Sequence, residues 1–167
     1  PHFIAGQVEQ ETCITLRHSK CWNPRAELKT SRENGIGLGQ FTRAYRADGS
    51  IRFDKISELA AAHASALLAT GWRITGAATP NDHLRMMLSA YNGGEGGLSK
   101  DRMLCRNTRG CDPARWVGHV ERTCTKSKVP HPGYRLSFCD INREYPHLIL
   151  DKRAPKYSPF FNGGTHD

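Results

Sequence analysis

Six cysteines, at positions 13, 21, 105, 111, 124 and 139, constrain this chain more than any other feature of its sequence. None forms the C-x-x-C pair that a structural zinc site usually brings, which favours disulfides over a metal. Cys13/Cys21 and Cys105/Cys111 enclose short loops, so one or both of these local pairs are expected to be bonded, with Cys124 and Cys139 the next pair in order. Disulfides persist in oxidising compartments, which points to action in a periplasm or outside the cell. The alternative is six free thiols in a chain stored in a bacterial cytoplasm until release. His18, His63, His83, His119 and His131 make no H-E-x-x-H or paired Cys/His spacing, so no metal or other cofactor is expected.

With 167 residues, 38% of them apolar and 24% charged, the chain is of single-domain size and too apolar for disorder. The expectation is one domain over residues 1–167. No stretch approaches the roughly 20 apolar residues that cross a bilayer. Pro1 in place of an initiator Met predicts that a start residue, with or without a signal peptide, was removed. Lys and Arg number 24 against 16 Asp and Glu, a net charge of +8, so the natural partner is a polyanion. Nucleic acid, anionic lipid, lipopolysaccharide and bacterial wall material all satisfy that condition.

Periodicity predicts a helix from Phe3 to about Glu11, with Glu11 near its C-terminal end. Residues 13–35 show little period and read as a long excursion. Gly35, Gly37 and Gly39 alternate with Ile36 and Leu38 before Gln40-Phe41, which predicts an extended segment permitting close backbone approach. Asp48-Gly49, between short alternating runs, predicts a small β-hairpin over Tyr45 to Phe53. Asp54 starts a helical pattern of Ile56, Leu59, Ala60, His63 and Leu67 that ends at Gly71. Thr79-Pro80-Asn81-Asp82 opens a second, stopped by Gly93-Gly94, and Asp112-Pro113 opens a third through Trp116, Val117, Val120 and Cys124. Lys126 to Gly133 reads as a loop, with a short helix between Tyr134 and Tyr145. Residues 152–167 read as a flexible or surface-wrapping tail.

Three pieces of this pattern carry a resemblance. They are Gln10-Glu11-Thr12; then Trp22-Asn23-Pro24 through Ser31 and Gly35 to Gln40-Phe41; and then Ala90-Tyr91-Asn92-Gly93-Gly94. In order and approximate spacing they resemble the soluble lytic transglycosylase and goose-type lysozyme branch of the lysozyme superfamily. There a Glu-Ser pair ends a helix, an Asn-Pro, Ser and glycine-rich stretch ends in Gln, and an Ala-Tyr-Asn-x-Gly motif ends a later helix. The resemblance covers roughly Val8 to Thr123. Small size and basic charge also make the chain look like a phage or prophage endolysin. Its departures are Thr12 for the usual Ser, an insertion between Glu11 and Asn23 that holds Cys13 and Cys21, and a cysteine-bearing tail.

The resemblance implies an α+β, mainly helical, lysozyme-like fold with a β-hairpin wing and a substrate cleft between lobes. It implies a monomeric enzyme that cleaves the β-1,4 bond between MurNAc and GlcNAc in peptidoglycan. Glu11 is then the general acid. A glycosidic oxygen leaves poorly unless protonated, and a carboxyl kept neutral by an apolar helix-end pocket can protonate it. Substrate-binding roles fall to Ser31, Gln40, Phe41, Tyr91 and Asn92. An inverting hydrolase needs a second carboxylate to direct water, whereas a transglycosylase lets the sugar's own C6 hydroxyl attack. Glu33 and Glu95 lie nearest the motifs, and Asp48 and Asp54 are also available. A noncatalytic polyanion-binding module using Arg43, Arg46, Arg52 and the Arg102 to Arg109 stretch is the more distant reading. Aromatics do not interleave with those arginines, so nucleic acid is not the expected partner, whereas peptidoglycan and an anionic outer-membrane surface are.

Overall fold

The computed structural model describes residues 2–14, 20–56, 71 and 73–161. Helices and a small antiparallel sheet make it an α+β chain. It divides into two compact units, one of Pro1–Ala66 with Ile149–Asp167, the other of Leu67–Leu148.

In the first unit, α1 (His2–Val8) runs directly into a π-helical stretch, Glu9–Ile14. The helix begins where periodicity placed it and widens before Glu11. Strands β1 (Glu27–Lys29), β2 (Glu33–Ile36), β3 (Phe41–Tyr45) and β4 (Ile51–Asp54) follow as an antiparallel sheet in the order β1-β2-β3-β4. The predicted hairpin is β3–β4. Arg46 N donates to Ser50 O at 2.8 Å, and Asp48 Oδ1 accepts from Ser50 N at 2.9 Å. β1 and β2 lie in the stretch that reads as aperiodic, because strands of three and four residues are too short to display alternation. Ala26, Phe41 and Ala44 are buried here, with Val8 from α1.

Within the tail expected from residue 152, the residues as far as Phe161 are helical. A π-helical stretch, Leu148–Arg153, continues into α5 (Ala154–Phe161), which packs on α1 and buries Ile149 and Ala154. Pro155 and Pro159 hide the helical signal. The helix predicted from Asp54 lies outside the described residues beyond Ile56.

The second unit is built on α2 (Pro80–Gly93), α3 (Glu95–Arg106), a 3₁₀ turn at Val120–Arg122 and α4 (Phe138–His147). The predicted start of α2 is present: Thr79 Oγ1 accepts from Asp82 N at 3.1 Å, and Pro80 needs no N–H partner there. Residues 86–90 of α2 are all buried, so this helix is central rather than amphipathic. A capping box of Ser137 and Asp140 starts α4 a few residues after Tyr134.

The helix predicted after Asp112-Pro113 does not form. Trp116 N donates to Asp82 Oδ1 at 2.8 Å instead of to its own preceding turn, and its side chain is buried at 2% exposure. The segment is therefore a series of turns around a tertiary anchor. Helix α3 goes unread in the sequence because Gly96 and Gly97 stand in its first turn, each costing about 1 kcal/mol against Ala.

Candidate functional site

Cys13–Cys21, Cys105–Cys111 and Cys124–Cys139 are all disulfide-bonded, both local pairs and the third in order. The first bears directly on the site. Glu11 stands third in the π-helical stretch and is half-buried. Such turns are rare and often occur at functional positions, since the extra residue re-aims the side chains around it.

Beside Glu11, Thr12 is fully buried, and its Oγ1 donates to Val8 O at 2.8 Å and accepts from Trp22 N at 3.0 Å. With the Cys13–Cys21 bond, this contact closes the insertion off at its base and returns Trp22-Asn23-Pro24 to the end of the first helix. Hydrogen bonds then lead onward. Asn23 O accepts from Ala26 N at 3.0 Å, and Ala26 O accepts from Gly37 N at 2.8 Å and Gln40 Nε2 at 3.3 Å. Two motifs separated along the chain thus form one hydrogen-bonded structure within the first unit.

Gln40 holds this turn rather than presenting its amide outward. Both Nε2 hydrogens go to main-chain oxygens, Ala26 O and Gly37 O, the latter at 2.9 Å, and its backbone adopts φ 48°. Its Oε1 is buried without a partner. A Cβ on Gly35 would lie 2.8 Å from that oxygen, so glycine there is a packing requirement as well as a turn signal. Phe41 is buried at the start of β3, and Ser31 is exposed at the β1–β2 turn, where Thr30 Oγ1 accepts from Arg32 N and Glu33 N. Neither Phe41 nor Ser31 is brought to Glu11 by any of these bonds.

Tyr91 and Asn92 belong to the second unit, near the end of α2, half-buried and exposed respectively. Asn92 Oδ1 accepts from Asn142 Nδ2 at 3.0 Å, which fixes the amide and turns its own N–H2 away. Asn142 also donates to Ser89 O and accepts from Arg143 Nη1 at 2.7 Å. Arg143 donates to the fully buried Asp101 at 2.6 Å and lies over the Trp116 ring at 5.1 Å. Lys126 and both donors of Thr125 complete the shell around Asp101. Burial would raise that carboxyl, but these donors outweigh it and hold Asp101 below the ordinary aspartate range.

Of the four further carboxylates, three serve local structure. Asp48 accepts from Ser50, Asp54 pairs with Arg43 at 2.8 Å, and Glu95 pairs with Arg73 at 2.8 Å. Glu33 is half-buried on β2 opposite Ala44 and has no ion pair among the described residues. Three of the arginines proposed for polyanion binding are similarly occupied, whereas Arg52, Arg106 and Arg109 are exposed. Arg43 takes Asp54, Arg46 takes Ser50 and Ile51, and Arg102 donates to Pro113, Thr75 and Gly76 carbonyls. No group of three or more His, Cys, Asp or Glu among the described residues is arranged to hold a metal ion.

One cluster has no counterpart in the sequence reading. Glu9 accepts from Lys156 Nζ at 2.6 Å and from Tyr157 Oη at 2.7 Å, and the Tyr157 ring meets Trp22 edge to face at 5.7 Å. Burial raises the Glu9 carboxyl, yet the two donors prevail and keep it below its usual value. Burial and the bond to Glu9 push the Tyr157 phenol up to about 12, so it remains a donor throughout the neutral range. Only the aromatic Trp22 beside Asn23-Pro24 was available as a signal, because Tyr157 lies 148 residues from Glu9. A scan against protein-family models and searches of curated proteins and of solved structures returned no match.

Proposed function

We propose that the chain is a peptidoglycan-cleaving muramidase of lysozyme-like fold, with Glu11 as its general acid. The observation that carries this reading is the joining of Glu11-Thr12 to Trp22-Asn23-Pro24 and the Gly35 to Gln40 turn, through the Cys13–Cys21 bond and the Thr12–Trp22 hydrogen bond. The insertion that separates these motifs in the sequence does not separate them in space. Glu11 is half-buried on a π-helical turn, and in this reading it delivers its proton to a departing sugar oxygen. Within the second unit, Asn142 sets the orientation of the Asn92 amide next to Tyr91. The partner is peptidoglycan, reached in a periplasm or outside the cell, in keeping with three disulfides. The +8 charge adds attraction to anionic outer surfaces.

A second version of the chemistry has an observation in its favour. Asp48, Asp54 and Glu95 are bound to structural partners, which leaves Glu33 alone of the four candidates to direct water, as an inverting hydrolase requires, and no bond among the described residues brings Glu33 to Glu11. A lytic transglycosylase needs the one glutamate alone. Clearing of purified wall suspensions tests the enzyme reading, since a noncatalytic binding module leaves turbidity unchanged. Mass spectrometry of the released muropeptides then separates the two chemistries: a reducing MurNAc end records attack by water, and a 1,6-anhydro end records attack by the sugar itself.

A further inference from the structure

Trp22 combines three properties that local structure does not require together. It is 43% exposed, its backbone lies at φ 56°, and it is held from three sides. A bulky residue at positive φ is an outlier costing about 1–3 kcal/mol, and such strain persists only where the surroundings overdetermine it. Here they do. The preceding residue is tied by the Cys13–Cys21 disulfide, its own N–H is held by buried Thr12, and Tyr157 meets its ring at 5.7 Å. Tyr157 is itself fixed by Glu9, which also takes Lys156. An indole kept in water yet denied rotational freedom gains nothing for the fold from its exposure. It has already lost the entropy that binding would otherwise cost.

We propose that Trp22 is a sugar-stacking platform, the apolar floor of a subsite that takes one N-acetylhexosamine ring of the glycan strand. The apolar face of a pyranose fits a flat indole, while its rim of hydroxyl and acetamido groups needs donors and acceptors nearby. Lys156, with a side chain 57% exposed, gives one ammonium hydrogen to the same Glu9 carboxylate that takes Tyr157 and has others to offer a sugar. Glu9 Oε1 holds that ammonium in place, and Tyr157 Oη donates to the other Glu9 oxygen. Trp22 N donates to Thr12 Oγ1, and Thr12 follows Glu11 in the chain, so the platform and the general acid stand on one hydrogen-bonded structure. The inference rests on the muramidase reading and names a substrate contact within it.

The test uses Glu11→Gln as background, so that ligand is bound and not cut. Isothermal titration with a purified tetrasaccharide of alternating GlcNAc and MurNAc compares Glu11→Gln with Glu11→Gln/Trp22→Gly, glycine being free to adopt φ 56°. Affinity is expected to fall about tenfold with loss of the indole and to return largely in Glu11→Gln/Trp22→Tyr, which restores an aromatic face. Trp22→Leu, apolar but without a stacking face, serves if the glycine variant loses its fold, and the same loss is expected. In the otherwise wild-type chain, Trp22→Gly is expected to raise KM on walls while leaving kcat nearly unchanged. If Glu11→Gln binds the tetrasaccharide and the folded Gly and Leu variants bind it equally well, the subsite is overturned and the muramidase reading stands. If the wild-type chain neither clears walls nor binds the saccharide as Glu11→Gln, both fall.

Discussion

Gly6 and Ala154 lie so close that a Cβ on Gly6 would stand 2.9 Å from the Ala154 nitrogen and 3.2 Å from Ile149 O. Main chain meets main chain there, with no flexible side chain to give way. The contact locks α5 against α1 one turn before the π-helical stretch that carries Glu11. Gly6→Ala is therefore expected to destabilise the chain by about 1–3 kcal/mol, as overpacking of a close contact does. Urea denaturation measures it, and an unchanged midpoint would show that the two helices separate without cost.

Glu11→Gln is expected to fold normally and to lose wall lysis by roughly 10²- to 10⁴-fold, the usual worth of a positioned general acid. Circular dichroism and disulfide content establish the fold, and turbidity clearing establishes the loss. Substantial lysis by the folded variant would transfer the role to another carboxylate, with Glu33 the first to test because it has no ion pair among the described residues.

Asp101 makes the second unit sensitive to acid. Its carboxyl titrates below the unfolded value of about 3.9, so its stabilisation is fully present above that pH and is lost as pH falls through the lower, folded value. Stability measured by urea titration is expected to hold through the neutral range and to decline below about pH 4. Asp101→Asn leaves Arg143 and Lys126 facing a neutral group, and is expected to cost about 3 kcal/mol at pH 7 while flattening the acid decline. The same acid slope in both proteins would assign the decline elsewhere.

No free thiol is expected under denaturing, non-reducing conditions. The Cys124–Cys139 link, 15 residues apart, is worth about 3 kcal/mol in the chain-entropy account, and the shorter loops somewhat less. Removing Cys13–Cys21 is expected to reduce activity more than stability, because that link joins the Glu11 turn to Trp22. Six free thiols in the active protein would overturn both the pairing and the oxidising place of action.

Wall binding is expected to weaken with added salt, since exposed charges are screened over about 8 Å at physiological ionic strength. Turnover of a short, neutral, soluble oligosaccharide is expected to change far less. An equally steep fall for both substrates would remove long-range attraction as the cause.

The features determined by the sequence alone are those whose physics is local. Thr79 and Pro80 begin a helix, Asp48-Gly49 turns a hairpin and near-neighbour cysteines pair, because each is decided by groups within a few residues of one another. Nearness in sequence also made the Glu11, Gln40 and Tyr91-Asn92 motifs readable as residue types. What those residues do in the fold was decided by partners far along the chain. Trp116 gives up a helix for Asp82, 34 residues away. Gln40 turns its amide inward to Ala26, 14 residues away, and Asn92 is aimed by Asn142, 50 residues away. The Glu9–Tyr157 bond spans 148 residues and brings two proline-bearing turns of helix against α1. A local pattern specifies which groups a segment offers. A buried polar group must be satisfied by whatever the completed fold brings to it, so tertiary structure decides which of those groups remain free to meet a substrate.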